Sequence, residues 1–196
     1  MMVKSVVLAV LVCVLSAGAG VVAQSATKSW LDRPLTSWND PGRPIPSAMP
    51  TGETILEMAK RCDLAVRRRT PAERAIADAG WLPYLHVDRE IVDRDVEIVG
   101  GMTEADGMCR PADFNIFVFV GGRLAGTLSP LTMRSRVDGA IGAVRLAADD
   151  TIAAEFVRFA DSDPLCCPSG RVTVRYRIDR KGPQPVVVPV SLEPRR

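Results

Sequence analysis

The chain has 196 residues, of which 47% are apolar and 24% charged, with 25 Lys and Arg set against 23 Asp and Glu. A formal charge of +2 gives no global pull toward nucleic acid, and the length allows one domain with a core of its own. A single histidine excludes metal sites built from several imidazoles.

The first residues, "MMVKSVVLAVLVCVLSAGAGVVAQSA", place Lys4 before an apolar run from Val6 to Leu15, with small residues leading to Val21-Val22-Ala23. This is the layout of a secretory signal peptide over residues 1–23. Its removal leaves about 170 residues beginning near Gln24. An uncleaved anchor is the alternative, since the stretch from Val6 to Ala23 is borderline in length for spanning. Val12 precedes Cys13, so the small residue that a lipobox needs is missing. No later apolar run is long enough to cross a bilayer, and the expected location is periplasmic or secreted.

Residues 24–52 carry Pro34, Pro41, Pro44, Pro46 and Pro50 and read as an extended N-terminal arm. Its Trp30 and Trp38 either dock the arm on the domain or mark a binding surface. Residues 53–196 form the single domain. Thr54 and Glu57 have capping-box spacing and predict a short helix within 53–68. In "TPAERAIADAG", Thr70 is the N-cap, Pro71 opens the helix, Glu73 completes the box and Gly80 ends it, which predicts a helix over 71–79.

After residue 81 the pattern turns to strands. "YLHVDREIV" and "DVEIVGG" alternate, "MTEADGMCRP" reads as a loop with a turn at Asp106-Gly107, and "FNIFVFV" is apolar on both faces, as a strand covered on both sides would be. Gly121-Gly122 turns the chain into "RLAGTLSP". "LTMRSRVDGA" is a polar connection. "IGAVRLAA" and "TIAAEFVRFA" flank a hairpin turn at Asp149-Asp150. "RVTVRYRID" alternates with Val172, Val174, Tyr176 and Ile178 inward, and "PVVVPV" with its prolines belongs at a sheet edge. The expected fold is α+β: a mostly antiparallel sheet of six to eight strands with one or two short helices, stapled by disulfides.

Once the signal is removed, Cys62, Cys109, Cys166 and Cys167 remain, an even number in an oxidising compartment, and two disulfides are expected. Neighbours in an extended segment point to opposite sides, and a bond between them closes a small strained ring. Cys166 and Cys167 are therefore each expected to reach elsewhere, one to Cys62 and one to Cys109. A four-cysteine zinc site fits the adjacent pair poorly.

His86 lies between Leu85 and Val87 in a predicted strand and reads as structural. No G-x-S-x-G, P-loop or G-x-G-x-x-G is present, and the S-x-x-K spelling at Ser25–Lys28 lies in the arm without a following K-T-G. Asp88, Glu90, Asp93, Asp95 and Glu97 read as a solvated strand face. Arg171, Arg175 and Arg177 form a basic stripe on one strand, with Arg158 near in sequence, and are candidates for an anion-facing surface. No catalytic residue, metal or cofactor is expected.

The segments "DGMCRP", "FVFVGGRLAGTLSP", "SRVDGA" and "AEFVRFADSDPLCCPS" resemble the LppP/LprE-type exported proteins over about residues 80–190. The resemblance implies export, with lipid anchoring in many members. It supplies no catalytic residue. The leading expectation is an exported cell-envelope protein that acts as a binding or structural module, its site drawn from the arginine stripe, Trp30 and Trp38, or the "LTMRSRVDGA" segment. The alternatives are an acid-based hydrolase of envelope glycans, which needs two converging carboxylates, and a thiol-active protein using Cys166-Cys167.

Overall fold

The computed structural model describes residues 29–49, 52–65, 69–84, 92–93, 95–147, 149–164 and 166–195. Helices α1 (Ile55–Arg61) and α2 (Pro71–Asp78) start where their caps place them. In each, the threonine hydroxyl accepts from the backbone N–H of the glutamate three residues on, and that glutamate accepts from the cap N–H. Both helices are too short to persist alone, so packing holds them. Met58 and Ala59 of α1 and Ala72 and Ile76 of α2 are the buried positions.

Ten strands follow among the described residues, and they divide into two antiparallel sheets. The first contains β1 (Leu82–Tyr84), β2 (Val92–Asp93), β3 (Val96–Ala105), β4 (Pro111–Val120), β5 (Arg123–Thr127) and β6 (Met133–Arg134). β3 and β4 are its two long central strands; β1 and β2 share the outer edge of β3, and β5 and β6 share that of β4. The second sheet is a meander in the order β10-β9-β8-β7, from β7 (Ala140–Leu146), β8 (Thr151–Arg158), β9 (Gly170–Asp179) and β10 (Val186–Arg195).

The two faces of β4 explain the layering. Phe114, Ile116, Val118 and Val120 share one core with Ile152, Ala154, Phe156, Val174, Tyr176 and Ile178 of the second sheet. Phe117 and Phe119 belong to a second core with Ala72, Ile76, Trp81 and Val99, on the α2 side. The first sheet is thus covered on both faces, which is why β4 reads as continuously apolar. Tyr84 lies flat on β3 at Gly100, where an added Cβ would come within 2.9 Å of its ring.

Several expectations shift at their edges. β3 runs on through Met102–Ala105, which the sequence suggests is loop, because its pairing with β4 continues across two register shifts. β6 lies inside the predicted connection and pairs Arg134 with Asp113. β10 is an edge strand, as its prolines require, but extends to Arg195. His86, Asp88 and Glu90, like the signal segment and Ser25–Lys28, lie outside the described residues.

The arm docks. Both indoles are half-buried: Trp30 packs edge-on against Trp38 and Phe156, at 5.3 and 5.8 Å between centroids, and Trp38 against Tyr176 at 6.2 Å. Trp30 Nε1 donates to Met133 Sδ and Trp38 Nε1 to the Thr127 carbonyl. Asn39, buried beside them, joins the two sheets. Its Nδ2 donates to the carbonyls of Thr127 in β5 and Val187 in β10, both at 3.0 Å, and its Oδ1 accepts from the Thr127 N–H at 2.9 Å. Gly126 makes room for it: φ there is +146°, and a Cβ would lie 2.4 Å from Asn39 Cγ. Arg158 is drawn to the arm as well, in a 3.0 Å ion pair with Asp32.

At one end of the sandwich Arg180, just after β9, forks to Asp95 before β3 and to Asp150 in the β7–β8 turn, at 2.9 and 2.6 Å. The opposite end carries the short β3–β4 loop, the longer β8–β9 loop and both disulfides.

Candidate functional site

The cysteine pairing differs from the expected one. Cys62 is bonded to Cys109, with Cα atoms 5.5 Å apart, and Cys166 to Cys167, with Cα atoms 3.8 Å apart. The argument from an extended segment fails because the described residues around the pair form turns. Asp163 accepts from the N–H of Ala160 and of Ser169, both at 2.8 Å, and the Cys167 N–H donates to the Pro164 carbonyl at 3.0 Å, so the chain turns at the pair. Cys109, by contrast, is delivered to α1. Asp106 closes the β3–β4 loop by accepting from the N–H of Met108 and of Arg110, and Cys109 takes a left-handed φ of 60° at its apex. Arg61 of α1, held by Glu53 at 2.8 Å, reaches the carbonyls of Ala105 and Asp106 and fixes the approach.

The same end of the sandwich holds a cleft of about 160 Å³. Pro111, Phe114, Ile141 and Phe159 give it apolar walls, and Arg110 and Arg136 stand at its rim. Each arginine is set by local structure. Arg110 is forked to Asp106, with contacts of 2.8 and 2.7 Å. Arg136 sits in a turn closed by the Asp138 N–H to the Arg134 carbonyl at 2.7 Å, and its guanidinium lies 4.3 Å above the Phe159 ring. A cation over an aromatic face is attracted by the ring quadrupole and keeps outward-facing donors. Burial pushes the Asp106 carboxyl upward, but the bonds from Arg110 and from the Met108 N–H outweigh it and hold the group below its ordinary range. The Arg110 guanidinium therefore faces a carboxylate that stays charged at neutral pH. The volume suits a group about the size of a single six-membered ring.

Three separate stretches meet here. Arg110 comes from "DGMCRP", Ser135 and Arg136 from "SRVDGA", and Phe159 from "AEFVRFADSDPLCCPS". Taken one by one these segments read as turns and scaffold. The signal that links them is their shared mixture of turn residues with an arginine or phenylalanine, which only the topology brings to one place.

The β9 arginines lie elsewhere, on the outer face of the second sheet. Arg171 meets Glu155 at 2.8 Å, Arg175 meets Glu193 at 3.1 Å and Arg177 meets Asp179 at 3.7 Å, so each faces an acid. A shallow trough of about 400 Å³ crosses that face over Ala143, Ala153 and Thr173, between Arg145 and Arg175. Trp30 and Trp38 turn inward and line neither depression. The carboxylates are dispersed: the cleft contains Asp106, the trough Glu155, and a small pocket of about 30 Å³ beside the arm Asp40. Exposed Glu104 and half-buried Asp113 face each other across β3 and β4. Among the described residues no helix is long and apolar enough to cross a membrane.

Residues 93–181 match the LppP/LprE lipoprotein family. The match begins at β2, ends just after β9 and includes every residue named in the cleft. No curated protein and no solved structure matches the chain.

Proposed function

We propose that this is an exported cell-envelope protein, in keeping with its match to the LppP/LprE lipoprotein family over residues 93–181, and that it binds small amphipathic anions at the end of its sandwich that carries the cleft. The observation that carries the reading is the cleft that joins apolar walls of Phe114, Ile141 and Phe159 to two arginines, Arg136 lying over the Phe159 ring and Arg110 beside Asp106. A ligand places its apolar body against those rings and its anionic head at the Arg136 guanidinium. Few polar groups on a mainly apolar wall is the usual design of a small-molecule site. Binding needs no catalytic group, and the two converging carboxylates of a glycan hydrolase find no counterpart in the cleft.

Thermal denaturation with benzoate, phenyl phosphate and uncharged benzyl alcohol tests this. The two anions raise Tm at millimolar concentration, benzyl alcohol does not, and Arg136→Ala removes the shift. If benzyl alcohol stabilises as well as the anions do, or if none of the three acts on the wild-type chain, the reading fails.

A further inference from the structure

A disulfide stabilises mainly by shortening the loops open to the unfolded chain, and its effect grows with the number of residues it encloses. Cys62–Cys109 spans 47 residues and ties α1 to the β3–β4 loop. Cys166–Cys167 spans one. It encloses no chain, removes almost no entropy from the unfolded state and joins no two elements. The loop that carries it is already closed at the neck, by Asp163 with Ala160 and Ser169. As a staple the bond is redundant.

Its position suits chemistry instead. Both cysteines are exposed, on the loop between β8 and β9, whereas Cys62 and Cys109 are half-buried. Pro164 and Pro168 restrict the backbone on either side of the pair. We infer that Cys166–Cys167 is a reversible two-electron redox site, reduced by a partner dithiol, and that this role is independent of anion binding in the cleft. A partner thiolate attacks one of the two sulfurs, forming a mixed disulfide and expelling the neighbouring cysteine as a thiolate. The partner's second thiol, losing its proton, attacks the partner sulfur of that mixed bond and releases the other cysteine. The partner leaves as a disulfide, and the two protons of its thiols end on Cys166 and Cys167. The polypeptide outside the loop has no need to move, because no element is held by the bond.

The test is graded reduction of the folded, full-length protein with dithiothreitol as the probe dithiol, followed by alkylation and peptide mass spectrometry. Cys166 and Cys167 are expected to be labelled at a dithiol concentration at least about tenfold below that needed for Cys62 and Cys109. Oxidised glutathione should restore the bond. In thermal denaturation, the double Cys166→Ser/Cys167→Ser variant keeps nearly the wild-type Tm, while Cys62→Ser/Cys109→Ser lowers it clearly. Three results overturn the inference: both cysteines free in protein purified without reductant, a pair that resists dithiol until the chain unfolds, or a Tm loss on removing the pair that equals the loss on removing Cys62–Cys109.

Discussion

Replacing Asn39 by Ala should cost about 3 kcal/mol. The side chain is buried and serves backbone groups on two sheets. The Thr127 carbonyl keeps the Trp38 indole N–H at 3.1 Å, so its loss is partial. The Thr127 N–H and the Val187 carbonyl each lose the Asn39 partner, and an orphaned buried group costs about 1–3 kcal/mol. Two such groups give about 3 kcal/mol, which for a domain of this size lowers Tm by roughly 6–12 °C. Urea denaturation read by tryptophan fluorescence gives the difference directly, because Trp30 and Trp38 report the arm while Trp81 reports the α2 core. Gly126→Ala supplies a second reading, since its Cβ meets Asn39 Cγ at 2.4 Å and its backbone stays at φ +146°. In the Asn39→Ala background the collision disappears and only the backbone cost remains, so the two losses fall short of adding. A loss below about 1 kcal/mol for Asn39→Ala, with an unchanged denaturant slope, would refute the reasoning and leave the arm outside the cooperative unit.

Two further outcomes follow from charges. Asp113 is held above its ordinary value of 3.8 by burial and then by Glu104 opposite it, with Arg134 working against the rise. The folded state therefore binds the proton more tightly than the unfolded one, and this contribution is full below the ordinary value and lost as pH rises through the raised one. Asp113→Asn should raise Tm near pH 7, with the difference fading as pH falls below about 4; a difference that grows in acid would reverse the assignment. Arg180→Gln removes a fork whose carboxylates are partly exposed, so the loss should be only about 1 kcal/mol and should shrink in about 1 M salt, where screening is short-ranged. A loss that persists in high salt would mean that the arginine stem, and not its charge, holds the two sheets together.

Helix caps, the two-faced β4 strand, the hairpins and the edge position of β10 were legible because each rests on local chemistry: a threonine with its glutamate, an apolar run, a glycine pair, a proline. The cleft was not legible as a unit, for Arg110, Arg136 and Phe159 come together only through loops whose lengths do not reveal their destination. The cysteine pairing was misread for a definite reason. Alternation of side chains holds for extended backbone, and Asp163 folds the segment into a turn with a carboxylate that accepts from both of its ends. The arginines of β9 were correctly placed on an outward face, but their acids arrive from β8 and β10, or from two residues along β9, and pairing across strands depends on register.

The Asn39 bridge also bears on the order in which the molecule assembles. Each sheet is made from one continuous stretch of chain, so its hairpins can pair as soon as they are synthesised. The arm cannot. It precedes both sheets in the chain, yet the carbonyls it joins lie on β5 and on β10, the last strand. Until β10 has joined β9, Asn39 can bond Thr127 of β5 but lacks the Val187 carbonyl. A segment made before either sheet is thus the one that joins them last, a clasp fastened only after the chain is complete through β10.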